Sequence, residues 1–183
     1  MKKLIGIIAI LTIIFIYGCS KQPSSIKAKQ DGKPLIVMYG DFKCPYCKKV
    51  EDKVMPKLRN KYIDKNKVKF QYVNLAFIGK DSIIGSRAQQ AVNHYAPKYS
   101  LQFQKLMFEH QKDEDKKWIT HTLIDKQIDK LNISNKTKDK IKTNYKTKNS
   151  TSWKAAEKDK KLGKEHHIKP VSYTHLRAHE TRH

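Results

Sequence analysis

The sequence predicts an α/β fold in which one parallel β-α-β unit is followed by a block of helices. Four observations carry this prediction. Residues 35–39 form a continuous apolar run, residues 45–60 have a helical pattern, and residues 68–76 alternate between apolar and polar. From residue 82 to residue 162 the periodicity is again helical. We therefore expect one compact domain in which a small sheet carries a helical insertion.

The two strands differ in their hydrophobic pattern. The run at residues 35–39 is typical of a strand covered on both faces, which predicts the central strand of the sheet. The alternation at residues 68–76 is typical of a strand with one buried face. Because a helix joins them, the two strands should run parallel.

The helix between the strands is expected to begin at Pro45. It places Val50, Val54 and Leu58 four residues apart, which predicts that these side chains share one buried face. Pro56 lacks an amide hydrogen and its ring disturbs the preceding turn, so we expect a kink there.

Five further helices are expected after Gly79. Asp115 and Ser134 are suitable N-caps because their side-chain oxygens can accept hydrogen bonds from free backbone N–H groups, and Pro97 separates the first helix from the second. The expected ranges are residues 82–95, 98–111, 116–131, 135–146 and 150–162. The aromatic residues of this block are expected to pack in its core, and they are Tyr95, Phe103, Phe108, Trp118, Tyr145 and Trp153.

The chemical signal in the sequence is a Cys-Pro-Tyr-Cys motif at residues 44–47, between the first strand and its helix. Two thiols separated by two residues can close or open a small disulfide ring on the first helical turn. Pro45 suits the first helical position, where its missing N–H would have no partner. We expect Pro45 and Tyr46 to tune the redox properties of the pair.

Cys44 is the expected nucleophile. It lies at the helix N-terminus, where free N–H groups and the helix dipole favour a thiolate. Lys43, Lys48 and Lys49 are expected to add positive charge nearby. Cys47 lies one turn further along and should be less exposed, so it is the expected resolving thiol.

Residues 1–18 have the features of a bacterial export signal. Two lysines precede an apolar stretch at residues 4–17, which is short for a membrane span. The sequence Ile-Tyr-Gly-Cys at residues 16–19 resembles a lipobox, in which the cysteine is acylated. Cys19 is therefore the predicted lipidation site, and an uncleaved anchor is the alternative. Both predict a location at the outer face of the membrane, where disulfides persist.

The charge of the chain does not favour a nucleic-acid partner. The formal net charge is +22 over 183 residues, but almost all positive charge is lysine. Arg59 and Arg87 are the only arginines before residue 171, and specific nucleic-acid contacts depend on arginine and stacking platforms. We interpret the lysines mainly as a solvated surface, with a secondary attraction to anionic lipid.

The sequence resembles the DsbA thiol-disulfide oxidoreductases of the thioredoxin superfamily, and in particular the lipid-anchored DsbA of low-GC Gram-positive bacteria. The resemblance extends over residues 32–169. The matching stretches are residues 32–35, 39–47, 53–59, 73–77, 79–82 and 152–158.

This resemblance implies a thioredoxin fold with a helical insertion, and an enzyme that transfers its disulfide to reduced exported proteins through a mixed disulfide. No cofactor or metal is expected, and the protein should be a monomer. Two alternatives remain open. One is a membrane-tethered reductase of the same fold, and the other is a binding lipoprotein in which the Cys44–Cys47 bond is only structural, although so short a loop gives little stabilisation.

The resemblance ends at Lys169. The family pattern requires a cis-proline loop, two antiparallel strands and a final helix, whereas residues 171–183 look like the translation of a sequencing-library adapter. We therefore expect a truncated gene fused to an adapter, lacking those two strands and that helix. The histidines at positions 175, 179 and 183 would then have no selected role. The strand at residues 35–39 would keep a bare edge, so we expect low solubility and little activity.

The expected organisation has six parts. These are a signal peptide at residues 1–18, a flexible tether at 19–32, the β-α-β half of the thioredoxin fold at 33–79, the helical insertion at 80–150, a helix returning to the core at 151–170 and a non-native tail at 171–183.

Overall fold

A computed structural model describes residues 29–165 and residue 168 of the 183-residue chain, with side chains described from Asp31 onward. The predictions for the leader, for Cys19 and for the segment after Lys169 lie outside the described residues. Within the described ranges, no helix is long and apolar enough to cross a membrane.

The sheet has three strands in the order β1-β2-β3, namely Lys29–Gln30, Lys33–Gly40 and Lys69–Asn74. Strands β2 and β3 run parallel, with Leu35 opposite Lys69 and Gly40 opposite Asn74, which confirms the predicted β-α-β unit. Strand β1 is antiparallel to β2 and was not predicted. The Asp31–Gly32 turn joins β1 to β2 with φ of 51° and 72°, backbone angles that a two-residue hairpin turn requires.

The expectation that residues 35–39 are covered on both faces is wrong for the described part of the chain. These residues are only partly buried. Strand β1 pairs only with Lys33 and Pro34, so within residues 29–165 the rest of β2 is hydrogen-bonded to β3 alone.

The helix after the cysteine motif is interrupted as predicted, but its buried face differs from the prediction. Helix α1 spans Pro45–Lys53, helix α2 spans Met55–Leu58, and a π-helical turn follows at Arg59–Ile63. Val54 lies at the break and is 51% exposed, whereas Glu51 and Met55 are buried. The face through Val50, Val54 and Leu58 is therefore not the core face. The break before Pro56 rotates α2 relative to α1, so the periodicity does not continue across it.

The helical block begins with α3, Ser82–Tyr95, and ends with α7, Thr151–Glu165. The helices between them are α4 at Ser100–Glu109, α5 at His121–Asp129 and α6 at Asn135–Lys146. The predictions for α3, α6 and α7 are confirmed, including the Ser134 cap, whose side chain accepts a hydrogen bond from the Thr137 N–H. Helix α4 is shorter than predicted because Pro97–Tyr99 forms a separate 3₁₀ turn.

The predicted helix at residues 116–131 and its Asp115 cap are wrong. Helix α5 begins only at His121, and the cap is Thr120, whose side chain accepts from the Leu123 N–H at 3.2 Å. The backbone N–H groups of Trp118 and Ile119 each donate to Asp81 at 3.0 Å. These amides point to a buried carboxylate, and the preceding segment is consequently not helical.

Helix α3 lies in the middle of the fold and packs against α6 and α7. Its buried residues are mostly small, and Gly85 and Ala88 allow close approach. A methyl group on Gly85 would lie 2.9 Å from the ring of Phe42. Phe42 is fully buried, and its ring contacts Tyr72, Phe103 and Phe108 at centroid distances of 5.4, 6.4 and 5.2 Å. The turn that carries the cysteines is thus fixed in the aromatic core.

Four of the aromatic residues predicted for the core are buried, namely Phe103, Phe108, Trp118 and Tyr145. Trp153 is partly buried and stacks on the Arg87 guanidinium, whose carbon lies 3.1 Å above the ring centroid.

The other internal arginine, Arg59, donates to Glu51 at 2.7 Å and to the Leu101 carbonyl at 2.9 Å. Arg59 and Arg87 therefore make intramolecular contacts.

Candidate functional site

Cys44 caps helix α1 and Pro45 occupies the first helical position, as predicted. Cys44 has an extended backbone conformation with φ of −72° and ψ of 116°, and its Sγ accepts a hydrogen bond from the Cys47 N–H at 3.4 Å. Both cysteines are partly buried free thiols. Tyr46 is 51% exposed. The structure thus brings Cys44, Pro45, Tyr46 and Cys47 together at one helix N-terminus.

The Cys44 thiol is acidic because hydrogen bonds stabilise its thiolate. The Cys47 thiol makes the largest contribution. Burial of the sulfur disfavours the thiolate. The N–H groups of Cys47 and Tyr46 stabilise the thiolate, and the negative charge of Asp41 disfavours it. The balance lowers the pKa of Cys44 from 9.0 to about 6. At neutral pH, Cys44 is therefore mainly a thiolate.

Cys47 has the opposite character. Its hydrogen bond to Cys44, its burial and the neighbouring Cys44 charge together raise the pKa of Cys47 far above that of an ordinary thiol. Cys47 therefore keeps its proton and donates it in the hydrogen bond to Cys44. The pair therefore consists of one ionised and one protonated sulfur. The division into a nucleophile and a resolving thiol stays a prediction.

The three lysines do not supply the positive charge that the sequence suggested. Lys43 is buried, and its Nζ forms an ion pair with Asp81 Oδ1 at 3.0 Å. Lys48 forms an ion pair with Asp52 at 3.0 Å, and Lys49 lies over the Tyr46 ring at 4.9 Å. No lysine is among the causes of the lowered pKa of Cys44. Hydrogen bonding, and not lysine charge, accounts for the acidity.

Asp41 orders the turn before the cysteines, and the sequence analysis did not identify it. Its side chain is fully buried. One oxygen accepts from the Lys43 N–H and the Ser82 hydroxyl, each at 2.9 Å. The other oxygen accepts from the N–H groups of Phe77 and Ile78 at 2.8 and 3.0 Å. Asp41 therefore joins the cysteine turn to the loop between β3 and α3.

A second buried carboxylate joins the same turn to the insertion. Asp81 binds the Lys43 ammonium through Oδ1, and through Oδ2 it accepts the two backbone N–H groups at positions 118 and 119. Gly79 lies against this ion pair, and a methyl group at that position would lie 2.5 Å from Lys43 Nζ and 2.8 Å from Asp81 Oδ1, so it would displace one or both partners. Two buried acids and one buried lysine thus hold the segments around the cysteines in a fixed arrangement.

Gln111 makes a further contact between the insertion and the cysteine turn. Its Nε2 donates to the carbonyl of Phe42 at 2.6 Å and to that of Cys44 at 3.0 Å. Gln111 follows α4 and lines a cleft of about 800 Å³ together with Lys43, Pro45 and residues 112–116. The cleft opens beside the N-terminus of α1.

The sequence contained a usable signal for Asp41 alone. Asp41 directly follows an apolar strand, a position where acids commonly bind free backbone N–H groups. Asp81 directly precedes a helix, but its side chain makes no cap hydrogen bond to that helix, so its position does not indicate its partners at residues 118 and 119. Gln111 has no such signal, because its partners are two carbonyls that are distant in sequence.

Comparisons with known proteins agree on the family. The family described as Thioredoxin matches residues 26–171. "Disulfide bond formation protein D" of Bacillus subtilis is 36% identical over 109 residues, covering 57% of this chain and 49% of that protein. "Probable disulfide bond formation protein D" of Bacillus cereus is 38% identical over 96 residues, covering 52% of this chain and 44% of that protein. The chain thus spans about half the length of the curated relatives it matches.

Solved structures of related proteins match a larger part of this chain than the curated relatives do. Oxidised BdbD from Bacillus subtilis superposes with a TM-score of 0.67 at 30% identity, covering 78% of this chain and 76% of that one. DsbA from Chlamydia trachomatis has a TM-score of 0.59 at 17% identity, covering 78% of this chain and 76% of that one, and supports the fold alone. The chain belongs to the thioredoxin family and, within it, to the DsbA-like thiol-disulfide oxidoreductases.

Proposed function

We propose that this protein donates the Cys44–Cys47 disulfide to reduced proteins after their export. The observation that carries the proposal is the contrast between an acidic, partly exposed Cys44 and a Cys47 that retains its proton. A related protein from Bacillus subtilis is named for disulfide bond formation. No cofactor is needed, because the two sulfurs themselves carry the two electrons.

The reaction requires two thiol-disulfide exchanges. A substrate thiolate attacks Cys44 Sγ, the bond to Cys47 breaks, and a mixed disulfide forms between substrate and Cys44. A second substrate thiolate then attacks the substrate sulfur of the mixed disulfide and releases Cys44 as a thiolate. Because Cys44 is stable as a thiolate, it is a good leaving group, and the equilibrium favours the oxidised substrate.

The sign of the pH dependence follows from the lowered pKa of Cys44. Ionisation stabilises the reduced protein fully above the ordinary thiol value of 9.0 and progressively less as the pH falls through about 6. Between about pH 6 and pH 9, raising the pH therefore makes the Cys44–Cys47 disulfide a stronger oxidant. The comparison is with a substrate whose two thiols stay protonated over the same range.

The proposal places the protein at the outer face of the bacterial membrane, held as a monomer through a lipid on Cys19. Cys44 would be the nucleophile and Cys47 the resolving thiol, with Pro45 and Tyr46 tuning the potential. The exposed Tyr46 ring and the cleft beside Pro45 provide a surface for an unfolded substrate chain.

The redox equilibrium with glutathione tests the proposal, because it does not require turnover of a protein substrate. The 183-residue chain, kept in mild detergent, is equilibrated in buffers of defined glutathione ratio and the disulfide fraction is measured by mass spectrometry. We expect a reduction potential above about −180 mV, in the range of strongly oxidising family members.

Two outcomes would contradict the proposal. A potential near about −270 mV, the value typical of thioredoxin, would identify a reductase. A disulfide that does not exchange with glutathione would indicate a structural bond and a binding role.

A further inference from the structure

A buried hydroxyl group without a hydrogen-bond partner lies beside Cys47. Tyr72 is on β3, and its side chain is 4% exposed. Its Oη makes no hydrogen bond within the described residues. A buried polar group without a partner reduces stability. A group of this kind next to a reactive sulfur is a candidate for a functional role.

The hydroxyl and the sulfur border the same small space at Gly40. A methyl group on Gly40 would lie 2.9 Å from Cys47 Sγ and 3.2 Å from Tyr72 Oη. Any side chain at this position would therefore push the two groups away from each other. Gly40 ends the strand that pairs with β3, so the β-sheet itself holds Tyr72 under the first turn of α1.

The two carboxylates whose charges act on Tyr72, those of Asp41 and Glu51, are already bound by other donors. Asp41 accepts four hydrogen bonds, two on each oxygen. Glu51 is bound by Arg59 on one oxygen and by Gln104 on the other, both at 2.7 Å. Burial first, and then the charges of Cys47, Asp41, Cys44 and Glu51, raise the pKa of Tyr72. The phenol therefore keeps its proton and can act as a hydrogen-bond donor.

We propose that the Tyr72 hydroxyl donates a hydrogen bond to Cys47 Sγ while that sulfur carries negative charge, an inference that rests on the proposed function. A substrate thiol releases its proton and its sulfur attacks Cys44 Sγ. The Cys44–Cys47 bond breaks and its electron pair remains on Cys47. The Tyr72 O–H stabilises this leaving thiolate until Cys47 takes up the proton that the substrate released.

The direct test replaces Tyr72 by phenylalanine, which removes only the hydroxyl. The oxidised chain is mixed with excess glutathione, and formation of the mixed disulfide is followed by quenched-flow mass spectrometry. We expect the rate to fall about ten-fold, because a hydrogen bond to a charged group is lost in the leaving state. The melting temperature should stay equal or rise, since the unpaired hydroxyl is gone.

Tyr145→Phe is the matched control. Tyr145 is equally buried, but its hydroxyl donates to Asp125 at 2.8 Å and lies 3.2 Å from the His121 carbonyl. This variant should have a lower melting temperature and an unchanged rate with glutathione. An unchanged rate with glutathione in Tyr72→Phe, whatever its melting temperature, would overturn the inference.

A second measurement tests Tyr72 independently of redox activity. In a chain carrying Cys19→Ser and Cys44→Ala, Cys47 is the only cysteine, and its alkylation by iodoacetamide at fixed pH measures its thiolate fraction. Adding Tyr72→Phe should slow alkylation about ten-fold. Equal alkylation rates with and without the hydroxyl would overturn the inference. If the native disulfide fails to exchange with glutathione, the proposed function is wrong, and the alkylation comparison still decides the role of Tyr72.

Discussion

Replacing Cys44 by serine is expected to abolish formation of a mixed disulfide with glutathione, whereas replacing Cys47 by serine is expected to trap it. Cys44 is the ionised sulfur of the pair and Cys47 keeps its proton. Below neutral pH, Cys44 is therefore the only one of the two with a substantial thiolate fraction. The rate of alkylation at pH 6 should fall by more than about ten-fold in Cys44→Ser.

The measurement combines intact-mass analysis after exposure to oxidised glutathione with alkylation kinetics. All variants carry Cys19→Ser, so that only Cys44 and Cys47 can react. The chain with Cys19→Ser alone is the control. The Cys47→Ser variant should gain one glutathione and hold it, because no second thiol can displace it. A stable glutathione adduct on Cys47 in the Cys44→Ser variant would reverse the proposed roles.

Replacing Asp81 by alanine is expected to produce the largest loss of stability, about 3–5 kcal/mol in the free energy of unfolding. The substitution leaves the buried Lys43 ammonium without its partner, which lies 3.0 Å away. It also leaves the N–H groups of Trp118 and Ile119 without an acceptor. A buried, uncompensated charge and two buried, unpaired donors each oppose folding.

Asp115→Ala is the matched control for this prediction. Asp115 forms an ion pair with Lys116 at 3.8 Å, but its side chain is 74% exposed, so its loss should change stability by less than about 1 kcal/mol. Urea denaturation followed by tryptophan fluorescence measures both variants. Equal stability of the two would show that the Lys43–Asp81 pair does not hold the insertion against the cysteine turn.

The stabilisation from Asp81 should also depend on pH. Burial opposes ionisation, but the Ile119 N–H, the Lys43 ammonium and further backbone N–H groups outweigh it and lower the pKa of Asp81 below 3.8. An acid with a lowered folded-state pKa contributes its full stability above its unfolded pKa and loses it as the pH falls through the folded value. The difference between the native chain and Asp81→Ala should therefore narrow only below about pH 4.

The starts of α1 and α6 and the pairing of the two long strands were predicted correctly, because local chemistry and chain connectivity decide them. A proline after Cys44 and a serine at position 134 mark helix starts by mechanisms that involve only the next three residues. The parallel pairing of β2 and β3 follows from chain connectivity. The place of Cys44 at the helix N-terminus could be predicted for the same reason, because the proline that follows it marks the start of α1 locally. The role of Cys44 as the nucleophile stays a prediction.

The position of the Lys43 side chain and the start of α5 could not be predicted from the sequence, because a partner distant in sequence decides both. Lys43 is adjacent to Cys44, yet its ammonium turns inward to Asp81, which lies in another segment of the chain. The same carboxylate binds the N–H groups of Trp118 and Ile119 and keeps residues 116–120 out of a helix. Hydrophobic periodicity contains no information about such a buried polar cluster, so neither the lysine nor the start of α5 was predicted.

Titration of Cys44 tests most directly whether this sulfur is the acidic thiol of the pair. In the reduced Cys19→Ser chain, thiolate absorbance at 240 nm is recorded against pH, with Cys44→Ser as the blank. The hydrogen bonds from Cys47 predict a transition with a pKa of about 6 that is missing in the blank. A single transition near the ordinary value of 9.0 would contradict the account, because Cys44 would then be neither a stable leaving group nor a preferred nucleophile.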